Sequence, residues 1–276
     1  MTISARVGCS SISFRGRSLP DALVVISGLG FREIDLGALP GVCDHVPYEL
    51  DSDAVEQVVG QIAKSGLGVR SVNGDVGDLN ACLDSTACRA REEHLARLLE
   101  LTARIGAIAL VLPCGALGHQ PLRGTLEADL DVVSEELNAA VEKASHFGVE
   151  LWTESLHSFR LSCDTSRADM LHRRLDPRVG IVMDFSHVTA SGGDVDAFAA
   201  ANVHRIRHVH LRDARPGDIH VSIGCGDVDF AAGLERLRAL GYSGHFALEL
   251  ETRDVTDAER PAAAKAAGEY ITGLLS

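Results

Sequence analysis

Eight short apolar runs, each followed by a stretch of helical periodicity, recur along the 276 residues, and this alternation limits the available folds more than any other feature. The strand-like runs fall at 6–10, 31–36, 69–73, 107–112, 149–154, 179–184, 206–211 and 245–249. Helical stretches fall at 19–29, 53–64, 86–105, 125–147, 166–175, 195–201, 230–240 and 258–275. Within 53–64, Val55, Val58, Val59 and Ile62 share one helical face, and Leu95, Leu98, Leu99 and Thr102 form a similar stripe in 86–105. Gly148 is placed to cap the fourth helix, and Pro261 falls in the first turn of the last. Strands separated by crossover helices pair in parallel. Eight such units in a chain of this length predict a single (β/α)8 barrel domain over 1–276. An open doubly wound sheet is the rival. It lacks its usual mark, because no G-x-G-x-x-G follows the first strand, and "GLGFREIDLG" precedes a strand and reads as a helix stop. The longest irregular stretches, 115–124 and 213–227, both follow strands, which places them on the C-terminal rim.

Composition narrows the partners. Acidic residues outnumber basic ones 39 to 26, for a formal net charge of −13, so a nucleic-acid backbone is a poor default partner. Apolar residues make up 46% of the chain but aromatics only 4%, so Ala, Val, Leu and Ile must build the core. The seven cysteines are odd in number, widely spaced and free of any C-x-x-C pair, which argues against a disulfide framework and a thiolate zinc site. "MTISARVGCSS" carries no long apolar signal region, and no run approaches the roughly 20 apolar residues of a membrane helix. A cytoplasmic protein without a membrane partner is expected.

The ends of the last four strands carry the chemistry. "GVELWTESLH" ends its strand on Glu154, "VGIVMDFSH" on Asp184, "RIRHVHLRD" carries His210 and "GHFALELE" carries Glu249. A buried strand that stops on a carboxylate needs a partner for that charge. Three carboxylates crowded on one rim raise each other's pKa unless a cation joins them. Hard oxygen ligands with one imidazole suit Mn2+, Mg2+, Co2+ or Zn2+. The expected partner of Asp184 is therefore a divalent metal ion. Of His208 and His210, one is expected to face the barrel interior and the other the helices.

These segments, in this order, resemble the sugar phosphate isomerase/epimerase family of xylose-isomerase-like TIM barrels. "GVELWTESLH" resembles that family's fifth strand, and "MDFSHVTASG" its sixth, an Asp followed three later by a His. "HVHLRDA" resembles the H-x-H-x-[KR]-D seventh strand, "IGCGDVDF" the turn that follows, and "GYSGHFALELE" the approach to the eighth-strand Glu. The resemblance covers nearly the whole chain and is sharpest over 148–251. It implies Glu154, Asp184, His210 and Glu249 as ligands of one divalent metal, choosing His210 over His208 and Glu249 over Glu251. It further implies an isomerase or epimerase of a small sugar, sugar phosphate or hydroxylated keto compound. Glu154 and Glu249 would exchange a proton through an enediolate. His187 and Arg212 would bind substrate oxygens. His157, Asn73 at the end of the third strand, and Glu33, read as ending the second, are further substrate-contact candidates.

A lyase on the same scaffold is the main alternative, such as a dehydratase of a keto-inositol or dehydroshikimate, or an enzyme cleaving an oxidised glycoside. "RPGDIHVSIGCG" also resembles the metal-dependent abasic-site endonucleases, in which Asp218, His220 and His187 would hold a second ion. That comparison fails at "SVNGD" and "LVLPCG", where those enzymes carry histidines. Asp218 and His220 are therefore read as a loop covering the substrate. A non-catalytic sugar-binding barrel is the remaining reading, and a homodimer is expected only by analogy.

Overall fold

The strands pair as their alternation with helices demands. The structure, a computed structural model, describes residues 2–276. Its main sheet contains β1 (Val7–Cys9), β2 (Glu33–Ala38), β3 (Gly68–Gly74), β4 (Ala109–Pro113), β5 (Glu150–Glu154), β6 (Gly180–Asp184), β7 (Ile206–Leu211) and β10 (Phe246–Leu248). They run in the order β1-β10-β7-β6-β5-β4-β3-β2, every pair parallel. The sheet curls into a barrel with no ladder between β1 and β2. Gly8 lets those two strands pass closely, since a Cβ there would lie 2.9 Å from the Glu33 carbonyl oxygen.

Nine helices surround the barrel among the described residues: α1 (Leu19–Gly28), α2 (Ser52–Ser65), α3 (Ser85–Arg104), α4 (Leu126–Phe147), α5 (Thr165–His172), α6 (Phe185–Ala190), α7 (Val195–Asn202), α8 (Phe230–Ala239) and α9 (Arg260–Leu274). Six of them, α2, α3, α5, α6, α7 and α8, start at an Asp whose side chain accepts from the first-turn backbone. Gly148 closes α4 in the left-handed conformation, and Pro261 lies in the first turn of α9, both as expected. All seven cysteines are free thiols, and no described helix is long and apolar enough to cross a membrane.

Three elements lie outside the sequence reading. A short 3-10 helix, Ser11–Phe14, follows β1. The six-residue α6 starts directly after β6. The irregular stretch 213–227 holds an antiparallel hairpin, β8 (Asp213–Arg215) and β9 (Asp218–Val221). Asp213 explains why that segment folds, because its carboxylate accepts from the backbone N–H groups of Ala214, Gly224, Gly226 and Val228. One boundary changes a functional assignment. Glu33 opens β2 instead of ending it, so it sits at the N-terminal end of the barrel. There it pairs with Arg70 (3.2 Å) and His245 (2.7 Å), far along the strand from the rim. The strand starts at Glu33 and runs to Ala38, so its rim end is carried by Gly37 and Ala38 and not by Glu33.

Alternation along the strands divides the core. Ile34, Leu36, Val72, Leu110, Leu112, Leu151, Met183, Val209 and Leu248 pack into the layer between barrel and helices. A separate interior cluster of Ala109, Val111, Trp152 and Val182 fills the lumen. Trp152 is its largest member and is buried, with its indole Nε1 donating to Glu150 Oε2 at 2.8 Å. Gly180 makes room for it, since a Cβ at Gly180 would lie 2.4 Å from Trp152 Cδ1 and 2.5 Å from Arg207 Cγ.

Replacing Gly180 by Ala should therefore destabilise the fold by about 1–3 kcal/mol through overpacking, measured as a lowered urea midpoint at unchanged m value. A second expectation concerns His172, buried between Asn202 Oδ1 (2.9 Å) and Ser155 Oγ (3.0 Å). Burial pushes its pKa down to about 4. The unfolded chain then takes up this proton at higher pH than the folded one, so stability is fully present above about pH 6.5 and falls towards pH 4. The loss is about 3 kcal/mol by linkage. His172→Gln should flatten that part of the stability–pH curve.

Candidate active site

Strand register brings the rim residues together. Asp184 on β6 is the Cα partner of His210 on β7, and His210 is the partner of Ala247 on β10, two residues before Glu249. Glu154 ends β5. One ligand atom from each of Glu154, Asp184, His210 and Glu249 lies within 4.8 Å of all the others. The four predicted positions thus form one cluster.

Its electrostatics follow from burial. Burial pushes the Glu154 carboxyl up to about 7, with Glu249 and Asp184 adding repulsion and His210 opposing it. Glu249 is also penalised by burial, but the charges of His210 and Arg212 hold its pKa below the usual carboxylate value. For His210, burial disfavours the cation, and Glu249, Asp35 and Glu154 together outweigh it, so the imidazole is held well above its ordinary value. His210 Nδ1 stands 3.4 Å from Glu249 Oε2 and 3.6 Å from Glu154 Oε1. Neither His210 Nδ1 nor Glu154 Oε1 has a hydrogen-bond partner, although both are shielded from solvent. Two unpartnered ligand atoms, a carboxylate oxygen and an imidazole nitrogen, facing each other inside a carboxylate cluster fit a hard divalent cation with imidazole tolerance.

Asp184 has more partners than the sequence reading supplied. Its Oδ1 accepts from the Ser186 backbone N–H and hydroxyl, both at 2.6 Å, which is why α6 starts there. Its Oδ2 accepts from Arg212 Nη2 at 3.0 Å. Arg212 is 1% exposed and also donates to Glu251 Oε2 (2.7 Å) and Ser186 Oγ (3.0 Å). Its guanidinium, held fully charged by Asp184, Glu249 and Glu251 despite burial, is thus bound into the protein. Glu251 also pairs with Arg15. This carboxylate belongs to the site, and the family pattern that chose Glu249 gave no reason to look at it.

The remaining candidates divide. His187 is buried, accepts at Nδ1 from Ser158, and sets Nε2 3.6 Å from Glu154 Oε1. Burial and then Arg212 hold its pKa well below the ordinary value, so the ring is neutral. The His157 ring leans against it, centroids 3.8 Å apart and planes tilted by 33°. Asn73 Nδ2 reaches Glu249 Oε1 at 3.5 Å. A cavity of about 70 Å3 beside the carboxylates is lined by Asn73, Glu154, His157, Arg160 and Glu249. His220 stands on the hairpin, Nδ1 against the Glu251 carbonyl (3.1 Å) and ring stacked on Phe159. That places it over the rim. Asp218 accepts from the His220 N–H, and the two join no group of three potential ligands among the described residues. His208 corrects an expectation: residues two apart on a strand share a face, and both His208 and His210 point inward to Asp35, at 2.7 and 3.1 Å. Asp35 itself went unnoticed, hidden in the apolar "REIDLG" run.

An eight-stranded parallel barrel with a polar cluster at the carboxyl ends of its strands defines the class. Residues 24–273 match the family described as xylose isomerase-like TIM barrel, and the chain belongs to that family. It is 26% identical over 235 residues to 3-dehydro-D-guloside 4-epimerase of Escherichia coli K12, covering 79% of this chain and 85% of that one. It is 27% identical over 165 residues to an inosose dehydratase of Lactiplantibacillus plantarum, covering 52% and 54%. Other curated relatives, among them an inosose dehydratase of Geobacillus thermodenitrificans, are likewise matched over about half of their length. In fold it resembles the crystal structure of IOLI protein with a binding zinc atom, with a TM-score of 0.78 at 17% identity over 97% of this chain and 98% of that one.

The buried Arg212 yields a stability test. Arg212→Met leaves buried Asp184 without its cation and Glu251 with Arg15 alone, and should cost about 3–5 kcal/mol of unfolding free energy in metal-free protein. A loss within ordinary surface-mutation range in a denaturant titration contradicts this account of the site.

Proposed function

We propose that this chain is a divalent-cation-dependent epimerase or isomerase acting on a small sugar, sugar phosphate or hydroxylated keto compound. One observation carries the reading: the shared cluster of Glu154, Asp184, His210 and Glu249, with unpartnered Glu154 Oε1 and His210 Nδ1 turned into it. These four residues would hold the ion. When bound, it polarises the substrate carbonyl and acidifies the adjacent C–H.

The chain's own residues then divide the work. One of Glu154 and Glu249 removes the proton from the carbon beside the carbonyl, leaving an enediolate, and the other returns a proton to the opposite face or the neighbouring carbon. Without a bound ion the two environments differ. Burial favours the protonated form of Glu154, whereas His210 and Arg212 favour the ionised form of Glu249. Neutral His187 and half-buried His157 offer ring nitrogens to substrate hydroxyls, and Asn73 steadies Glu249. Arg212 acts through Asp184 and Glu249 more than by direct substrate contact. His220 and Phe159 cover the rim. The 26%-identical epimerase supports a sugar-like substrate. The inosose dehydratase match favours a second reading, in which the same proton abstraction expels a β-hydroxyl.

The decisive experiment offers a panel of ketoses, keto-glycosides and inososes in deuterium oxide with added Mn2+. Deuterium incorporation beside the carbonyl with inversion or carbonyl transfer is expected; loss of water in its place establishes the lyase. Glu249→Gln should lower kcat by at least about 100-fold while the folded far-UV spectrum is retained. Wild-type turnover in that variant removes Glu249 from the acid/base pair. Stripping divalent ions with a chelator should abolish turnover, and re-adding one should restore it.

A further inference from the structure

Asp35 is fully buried on β2. Its Oδ2 accepts from two imidazoles at once, His208 Nε2 at 2.7 Å and His210 Nε2 at 3.1 Å. The two rings stand at 89° with centroids 5.3 Å apart, so they reach one oxygen from different directions. Two ladder irregularities bring these groups together. The β2–β3 register shifts between Ile34 and Asp35, and the β6–β7 register shifts where Arg207 is passed over between Ile206 and His208. Such bulges re-aim side chains next to functional sites.

An ionised carboxylate only accepts hydrogen bonds, so both Nε2 atoms must carry hydrogen. For His210 this leaves Nδ1 as the atom facing Glu154 and Glu249, and Nδ1 is the ring atom without a protein partner. His208 belongs to no group with the rim carboxylates; its ring lies beside Trp152 in the lumen. Two roles are available to a carboxylate behind two histidines. It could be a ligand of a separate ion, or it could orient one histidine toward the rim cluster. The second is favoured because the Nε2 atoms that approach Asp35 are its hydrogen-bond donors.

We propose that Asp35 is a positioning residue that locks His210 with its hydrogen on Nε2 and its Nδ1 turned into the Glu154–Asp184–Glu249 cluster, with His208 as the strut that holds Asp35 in place. This rests on the reading of that cluster as a cation site. The H-x-H pattern on β7 then has two functions, one histidine for the ion and one for the residue behind it.

The test uses Zn2+ as probe. Calorimetric titration of metal-free protein should give one ion per wild-type chain, with Asp35→Asn weakening binding about 10–100-fold. His208→Gln, which keeps a donor towards Asp35, should stay close to wild type. Nitrogen-15 spectra of histidine-labelled, Zn2+-loaded wild type should show Zn2+ on His210 Nδ1 and a slowly exchanging, hydrogen-bonded Nε2 proton. That proton should exchange rapidly in Asp35→Asn, a change that general loosening of the fold, monitored by backbone amide exchange elsewhere, would not confine to one ring. Equal affinity in wild type and Asp35→Asn, with the Nε2 proton unmoved, overturns the positioning role alone. Zn2+ on Nε2, or two ions per chain, overturns it from the wild-type protein even where Asp35→Asn does not fold. No ion bound by the wild type removes the cation site and this role together.

Discussion

Three carboxylates sit side by side at one end of the barrel, and the permanent cation among them is Arg212. Much of the surrounding structure serves to keep that arrangement folded. Asp184 divides its oxygens between the first turn of α6 and the guanidinium. Glu251 accepts from a second Arg212 guanidinium nitrogen at one oxygen and from Arg15, after β1, at the other. His210 stands between Glu154 and Glu249, backed by Asp35. Like charges this close are tolerated only where counter-charges are buried with them. The network therefore ties together loops that are distant in sequence.

The barrel was legible because its signal is repeated. Each apolar run is short, helices such as 53–64 and 86–105 carry a clear stripe, and eight repeats outweigh an error at any one boundary. The rim cluster was legible for a related reason: a charged residue closing a buried strand is conspicuous, and it recurs at Glu154, Asp184 and Glu249. Where a boundary carried chemistry, the reading was weaker. Glu33 lies midway in the run 31–36, and the strand itself starts there and ends on Ala38, so this carboxylate stands at the N-terminal end of the barrel. His208 was turned outward although strand periodicity puts it on the face of His210.

Other parts were hidden for physical reasons. Asp35 sits inside an apolar strand, and its burial makes sense only once His208 and His210 are known to lie opposite it. Glu251 matters because Arg212 and Arg15 reach it from elements some 40 and 236 residues away in sequence. The hairpin of β8 and β9 depends on Asp213 gathering four backbone N–H groups, and no periodic pattern announces such a turn. These are long-range or loop-specific contacts, and local periodicity carries no trace of them.

Trp152 has a consequence for traffic through the molecule. With Ala109, Val111 and Val182 it stoppers the lumen beneath the acidic cluster. The cavity above this stopper is walled by Leu39, Gly74, Pro113, His157 and Arg160 on the side of the rim, and Phe159 and His220 stand beyond His157. Whatever enters from the rim must leave by the rim, and any hydrogen isotope exchanged with bulk water has to cross it too. The mobility of those few rim side chains, more than the barrel wall, would then set how long a captured molecule stays.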